Sequence, residues 1–161
     1  MRLTLFTVLL AAAALGQTPT RKTDVGTNVK EPAVDFYDSM SDYFRQGRRA
    51  IDAIVQKGIP DEEVPAVLMI ARRSSASPNQ VIDARKAGKS FAEIAKANKV
   101  SLPGSDFVAE ANTVFLAEYH GRTPEEIRAM RAKGASFIDI NQQFRRVGVK
   151  PATEKARSTG R

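Results

Sequence analysis

The chain has 161 residues and a formal net charge of +7, from 25 Lys and Arg against 18 Asp and Glu. It contains no cysteine and a single histidine, His120. These counts exclude disulfides, thiolate catalysis and metal sites built from cysteines or from several histidines. A domain folded from this chain must therefore be held together by packing alone.

The N-terminus has the three-part layout of a secretory signal peptide. Arg2 precedes an apolar stretch over residues 3–15, and the small residues Ala14 and Gly16 come before polar sequence. The apolar stretch is shorter than the roughly 20 residues that a membrane span needs. We expect cleavage after Gly16, so that residues 1–16 are removed and the chain is exported to the periplasm or beyond. An uncleaved membrane anchor is the alternative.

The composition divides the rest of the chain into three parts. Residues 17–32 are polar, contain Pro, Gly and Thr and show no apolar periodicity, which predicts a flexible linker. Residues 148–161 have a similar composition and predict a disordered basic tail. The folded domain is therefore expected over residues 33–147.

Apolar residues in the expected domain recur at helical spacing. Stripes of this kind are Phe36, Met40, Tyr43 and Phe44; Phe107, Ala111, Val114 and Phe115; and Phe137, Ile140, Phe144 and Val147. Since no segment alternates with the period of two that marks a half-buried strand, we predict an all-α fold of seven or eight helices.

The sequence also repeats, with a period of 46 residues. Residues 64–94 align without gaps on residues 110–140, and seven of the 31 aligned positions are identical. A weaker half-unit precedes them around Ile51 and Gly58. Because a short helix hairpin cannot bury its own apolar face, we expect tandem helix-corner-helix repeats that pack as a compact helical array or a short superhelix.

Cap residues mark the predicted helix boundaries. Four hydroxyl residues are each followed three positions later by Gln, Glu or Asp, which is the pattern of a capping box. Three glycines stand where a helix would end in the left-handed conformation. The predicted structural corners and caps are Gly58, Ser77, Gly88, Ser90, Thr123, Gly134 and Ser136.

The string GIPDEEVPAVLMIARRSSASPNQVIDARKAGKSFAEI, residues 58–94, resembles a motif of uncharacterised exported bacterial proteins. The motif combines a glycine, Ile-Pro with acids, Val-Pro, an apolar VLxIAR run, Ser-Pro and an Arg-x-x-Gly-x-Ser-aromatic corner. The aromatic residue is Phe91 here, where Trp is more usual. The resemblance implies export and an all-helical fold, and it brings no catalytic residue with it.

Basic residues form two groups. The first lies at the predicted corners and consists of Lys57, Arg85, Lys86, Lys89, Arg131 and Lys133. It is either a ridge that binds a polyanion or, as we favour, a set of cations that offset the negative ends of helix dipoles. The second group gives the last 17 residues a charge of +5, and its candidate anion-binding residues are Arg145, Arg146, Lys150, Lys155, Arg157 and Arg161.

Few residues indicate chemistry. Glu118, close to His120 in sequence, and Glu110 are candidates for hydrolytic acid-base work, but a histidine before Gly121 is an ordinary helix end. Residues 90–101 are similar to the first helix and turn of a helix-turn-helix DNA reader, although Leu-Pro-Gly follows where the reading helix should begin. We assign no catalytic, metal-binding or cofactor-binding residue.

The sequence therefore predicts an exported, non-enzymatic helical module for interaction or scaffolding. Its expected partner is an anionic polymer or a membrane surface, contacted by the basic tail. The alternatives are a small helical hydrolase that acts on cell-envelope polymer and, third, a nucleic-acid-binding protein. Sequence-specific binding of nucleic acid is the least favoured.

Overall fold

The computed structural model describes residues 32–147. Residues 1–31 and 148–161 lie outside the described residues, and with them the predicted signal peptide, nearly all of the predicted linker and the predicted tail. The described residues form α-helices and one 3-10 turn, with no strand, so the all-α prediction is confirmed. The elements are α1 (Pro32–Phe44), α2 (Arg48–Gln56), the acidic turn (Asp61–Glu63), α3 (Val64–Arg73), α4 (Pro78–Lys86), α5 (Phe91–Ala97), α6 (Phe107–His120), α7 (Pro124–Ala132) and α8 (Phe137–Arg146).

Helices α3 and α6 form the centre of the fold. Every residue from 64 to 70 in α3 is buried, so this helix is apolar all round and is enclosed by its neighbours. It packs against α1, α2, α4, α5 and α6. Helix α6 contacts α1, α5, α7 and α8 in addition. In the part of the chain that is described, no helix combines the length and the apolar character needed to cross a membrane.

The aromatic part of the core lies where α1 meets α6. Phe36 and Tyr43 pack against the Phe115 ring, with ring centroids 5.7 and 5.2 Å from it. All four residues of the predicted α1 stripe are buried. The expectation that Val147 continues the stripe of α8 is wrong, because the helix ends at Arg146 and Val147 is 66% exposed.

Local capping determines where the short helices begin and end. Ser77, Ser90, Thr123 and Ser136 each form a complete capping box, in which the hydroxyl accepts a backbone N–H and the third helical residue accepts the N–H of the cap. The chain reverses after α4 and α7 through glycines at positions 88 and 134, whose φ angles are +89° and +91°.

Candidate anion-binding surface

Both corner arginines contact other residues of the chain. The guanidinium of Arg85 binds both carboxylate oxygens of Glu63, at 3.0 and 3.2 Å, and lies 5.2 Å from the centroid of the Phe91 ring. Arg131 donates to the carbonyl of Ala135 at 2.7 Å and lies 4.3 Å from the Phe137 ring centroid. Both arginines therefore stabilise their own corners, and the Arg85 guanidinium is also neutralised by a carboxylate.

The corner lysines are in a different situation. Lys57 donates to the side-chain oxygen of Asn79. Lys86, Lys89 and Lys133 are exposed, and within residues 32–147 none of them has an ion-pair partner. Lys86 lies in the last turn of α4, where it also offsets the helix dipole. The lysines are thus the part of the predicted basic ridge that faces solvent.

The carboxylates of the described residues are almost all engaged. They accept hydrogen bonds from tyrosines, from backbone N–H groups at helix starts, or from arginines; Asp83 is the exception within residues 32–147. The cations are not matched in this way. The exposed cations with neither an ion pair nor a hydrogen bond in residues 32–147, here called the free cations, are Arg45, Arg49, Arg73, Lys86, Lys89, Lys96, Lys99, Lys133 and Arg146.

The acidic turn shows how the carboxylates are used. Asp61 accepts a hydrogen bond from the hydroxyl of Tyr37 in α1, and Glu63 forms a salt bridge with Arg85 of α4. Glu62 accepts the backbone N–H of Phe137, the first residue of α8, at 2.7 Å. The sequence did not predict these three partners, because no local pattern specifies contacts between residues 22, 24 or 75 positions apart.

The described part of the surface includes a larger and a smaller cleft. The larger, of about 370 Å³, lies between α5 and residues 99–107 and is lined by Lys96 and Lys99. The smaller, of about 200 Å³, lies between α2 and the start of α4. Glu110 and Glu118, the acids considered for hydrolysis, line neither cleft.

The residues considered for acid-base work belong to separate pairs. Glu118 accepts a hydrogen bond from the hydroxyl of Tyr43 at 2.6 Å. Burial together with this hydrogen bond raises the pKa of Tyr43. His120 is buried, and its Nε2 lies 2.9 Å from Oδ1 of Asn141. Burial lowers the pKa of His120, so the ring is neutral at pH 7. Glu110 is held by Arg128 through two hydrogen bonds.

No metal centre emerges from the described part of the chain. Over residues 32–147 there is no group of three His, Asp or Glu side chains that could hold an ion. The similarity to a helix-turn-helix motif does not extend to a second helix directly after the turn. Helix α5 has seven residues, and non-helical chain from 98 to 106 separates it from α6.

The predicted tail residues are placed only in part. Arg145 donates to the hydroxyl of Ser39 at 3.1 Å and lies 3.7 Å from a carboxylate oxygen of Asp35, so it fastens α8 to α1. Arg146 is exposed in the last turn of α8. Lys150, Lys155, Arg157 and Arg161 lie outside the described residues.

The chain was compared with family models, curated proteins and solved structures, and nothing matched.

Lys96 and Lys99 were not singled out from the sequence. They appeared only within the string similar to a helix-turn-helix motif. A signal was nevertheless present, because residues 86–99 contain four lysines and a single acid, Glu93, whose carboxylate is predicted to close a capping box. The cleft that these two lysines line is formed where residues 101–107 pack back against α5, and no local pattern specifies that packing.

Proposed function

We propose that this protein is an exported, non-enzymatic helical module that binds an anionic component of the cell envelope. The free cations support this proposal, since nearly every carboxylate of residues 32–147 has a partner within the chain while nine exposed cations have none. The same residues carry 17 Lys and Arg against 15 Asp and Glu, a formal charge of +2. Such a surface attracts polyanions over about 10 Å at moderate salt.

The C-terminal basic residues are proposed to add to this positive charge. Lys150, Lys155, Arg157 and Arg161 stand against a single acid, Glu154, in the last stretch of the sequence. Since Arg145 is occupied by Asp35 and Ser39, we assign the tail's contribution to the residues beyond it. We propose that these residues and the free cations bind the same kind of anionic ligand.

The scaffold itself is proposed to be a duplication. Helices α4 and α7 begin at prolines 46 positions apart, and α5 and α8 begin at phenylalanines 46 positions apart. In both units an arginine guanidinium lies over the phenylalanine that starts the second helix. The preceding helices differ, with 10 residues in α3 and 14 in α6. Residues 64–94 and 110–140 are accordingly proposed as two copies of one unit.

The test is retention on a sulfated matrix over a salt gradient. Three proteins are compared: the full chain, a chain truncated after Val147, and the triple variant Lys86→Gln, Lys89→Gln, Lys133→Gln. Both altered proteins should elute at lower salt than the full chain, because each has lost cations that contact the matrix. Thermal melts check that the altered proteins remain folded.

A matched control changes an internally paired cation. Arg128→Gln removes the same charge as one lysine substitution, but the guanidinium of Arg128 is already neutralised by Glu110 and Glu125. Its elution should stay close to that of the full chain. Retention that does not depend on salt concentration, or that is the same for all four proteins, would refute the proposal.

Export has its own test. Processing after Gly16 gives a mature chain that begins at Gln17. Mass spectrometry of the protein recovered outside the cytoplasm should give that N-terminus. Recovery of exported protein that still carries Met1 would contradict the signal-peptide assignment.

A further inference from the structure

The cleft between α5 and residues 99–107 combines an apolar floor with a charged rim. The floor is formed by Ala95, Val100 and Phe107, which belong to the buried core and are at most 9% exposed. Its volume of about 370 Å³ is within the range of sites that hold small organic ligands. A pocket of this kind favours a ligand with a compact apolar group.

The rim carries two free cations. Lys96 and Lys99 both line the cleft, and neither has an ion-pair partner among the described residues. Hydroxyl groups of Ser101 and Ser105 line the same opening and can donate to an anion.

The acids near the cleft are occupied. Asp106 accepts the N–H groups of residues 108 and 109 at the start of α6, and Glu93 closes the capping box of Ser90. Glu110 lies against Gly104 on the rim and is held by Arg128 at 2.8 Å. None of these carboxylates forms an ion pair with Lys96 or Lys99.

We infer that this cleft binds a small amphipathic anion, in which a carboxylate, sulfonate or phosphate is joined to a short apolar chain or ring. The anionic group meets the lysine ammonium groups and the serine hydroxyls at the rim. The apolar group packs on the partly exposed Leu102 and on the small exposed edges of Val100 and Phe107, and most of the area removed from water is that of the ligand itself. The inference does not depend on the proposed polyanion surface, because it requires the apolar floor as well as the charges.

Octanoate is the probe, measured by isothermal titration and by amide chemical shifts of the full chain. Three related compounds separate the contributions: acetate has the charge without the chain, 1-octanol has the chain without the charge, and octylammonium reverses the charge. Octanoate should bind in the millimolar range and shift amides around the cleft. The other three should bind several-fold more weakly.

Two variants test the site itself. Lys96→Gln with Lys99→Gln should weaken octanoate binding by roughly fivefold for each charge removed. Ala92→Glu places a carboxylate on the rim in the first turn of α5, where an acid suits the helix dipole, so binding should be lost while the fold is kept. Ala129→Glu, an exposed position on α7, is the matched control and should leave binding unchanged.

The outcomes separate the cleft from general anion attraction. Equal binding of acetate and octanoate, or octanoate binding unaffected by Ala92→Glu, would overturn the inference even if the sulfated matrix retains the protein. Octanoate binding with no retention on that matrix would support the cleft and refute the polyanion proposal instead. Octanoate shifts centred on the smaller cleft near Ile54 and Ile82 would also overturn it.

Discussion

Glu62 accepts the backbone N–H of Phe137 at 2.7 Å, and this hydrogen bond joins the acidic turn to the first residue of α8. The two residues are 75 positions apart, and the bond satisfies one of the N–H groups that a helix leaves unpaired at its start. The hydroxyl oxygen of Ser136 accepts a hydrogen bond from the N–H of Asp139 at the same helix start. Helix α8 is thus capped by its own preceding residue and by a distant carboxylate.

Glu62→Ala is expected to destabilise the fold by about 1–3 kcal/mol, because a partly buried backbone donor then loses its acceptor. Glu62→Gln retains an accepting oxygen and should cost less. Asp83→Ala is the control, since Asp83 has no partner in the described part of the chain, and its effect should stay within about 0.5 kcal/mol. Denaturant unfolding of the three variants measures this. Equal effects for Glu62→Ala and Asp83→Ala would show that the contact is unimportant.

The helix ends could be predicted from residues close to them in sequence, whereas contacts between residues far apart in sequence could not be predicted. A serine or proline at a helix start acts within four residues, so residues 77–80 and 123–126 specify their own caps. The contact between Glu62 and Phe137 requires that α8 fold back along α1 and the acidic turn, and only the packing of the whole core determines this. The prediction that Val147 is part of the buried stripe failed for a related reason. The apolar spacing of the sequence continues to residue 147, but α8 ends at Arg146 and Val147 is exposed.

The tyrosines should make the fold sensitive to alkaline pH. The chain has three tyrosines, and burial, together with carboxylate neighbours, raises the pKa of Tyr37, Tyr43 and Tyr119, in the case of Tyr37 from 10.0 to about 12. Since the folded-state pKa values lie above the unfolded ones, their contribution is complete below pH 10 and is lost as the pH rises through the folded values.

Phenolate absorbance and denaturant midpoints, followed together from about pH 9 upward, measure this loss. The tyrosines should ionise late, and the midpoint should fall over the same interval. Tyr37→Phe should lower the midpoint at neutral pH but flatten its alkaline dependence. Ionisation of all three tyrosines near pH 10, with no change in midpoint, would contradict the hydrogen-bonded arrangement.

His120 should make the fold sensitive to mild acid. Burial lowers its pKa below 6.5, and the positive charges of Arg145 and Arg122 act in the same direction. Because the unfolded chain binds the proton more readily, stability is complete above pH 6.5 and is lost as the pH falls through that value toward the folded-state pKa.

The measurement is the denaturant midpoint between about pH 7.5 and 5.5, a window in which few carboxylates titrate. His120→Gln removes the titrating group, so its midpoint should change less over this window than that of the unaltered chain. The variant is expected to be less stable at pH 7.5, because it alters a buried hydrogen bond to Asn141. Identical slopes for the two proteins would show that His120 is not the group responsible.

Gly88 and Gly134 test the left-handed corners and the proposed duplication together. A Cβ at either position would meet no atom within 4 Å, so the cost of a side chain is conformational alone. Gly88→Ser and Gly134→Ser should each cost about 1–2 kcal/mol. Gly47→Ser is the control, since its φ of −61° suits any residue and nothing lies within 4 Å of an added Cβ. Thermal melts that show similar losses at both corners and none at Gly47 would support equivalent units; unequal losses would argue against them.

The central claim is that the free cations, and not the internally paired ones, face the ligand. It is tested most directly by amide chemical shifts of the full chain during titration with a short sulfated oligosaccharide. The account predicts perturbation around Lys86, Lys89 and Lys133, and little around Arg48 and Arg128, whose guanidinium groups are already bound by carboxylates. Perturbation of equal size around the paired arginines, or none anywhere in residues 32–147, would contradict it.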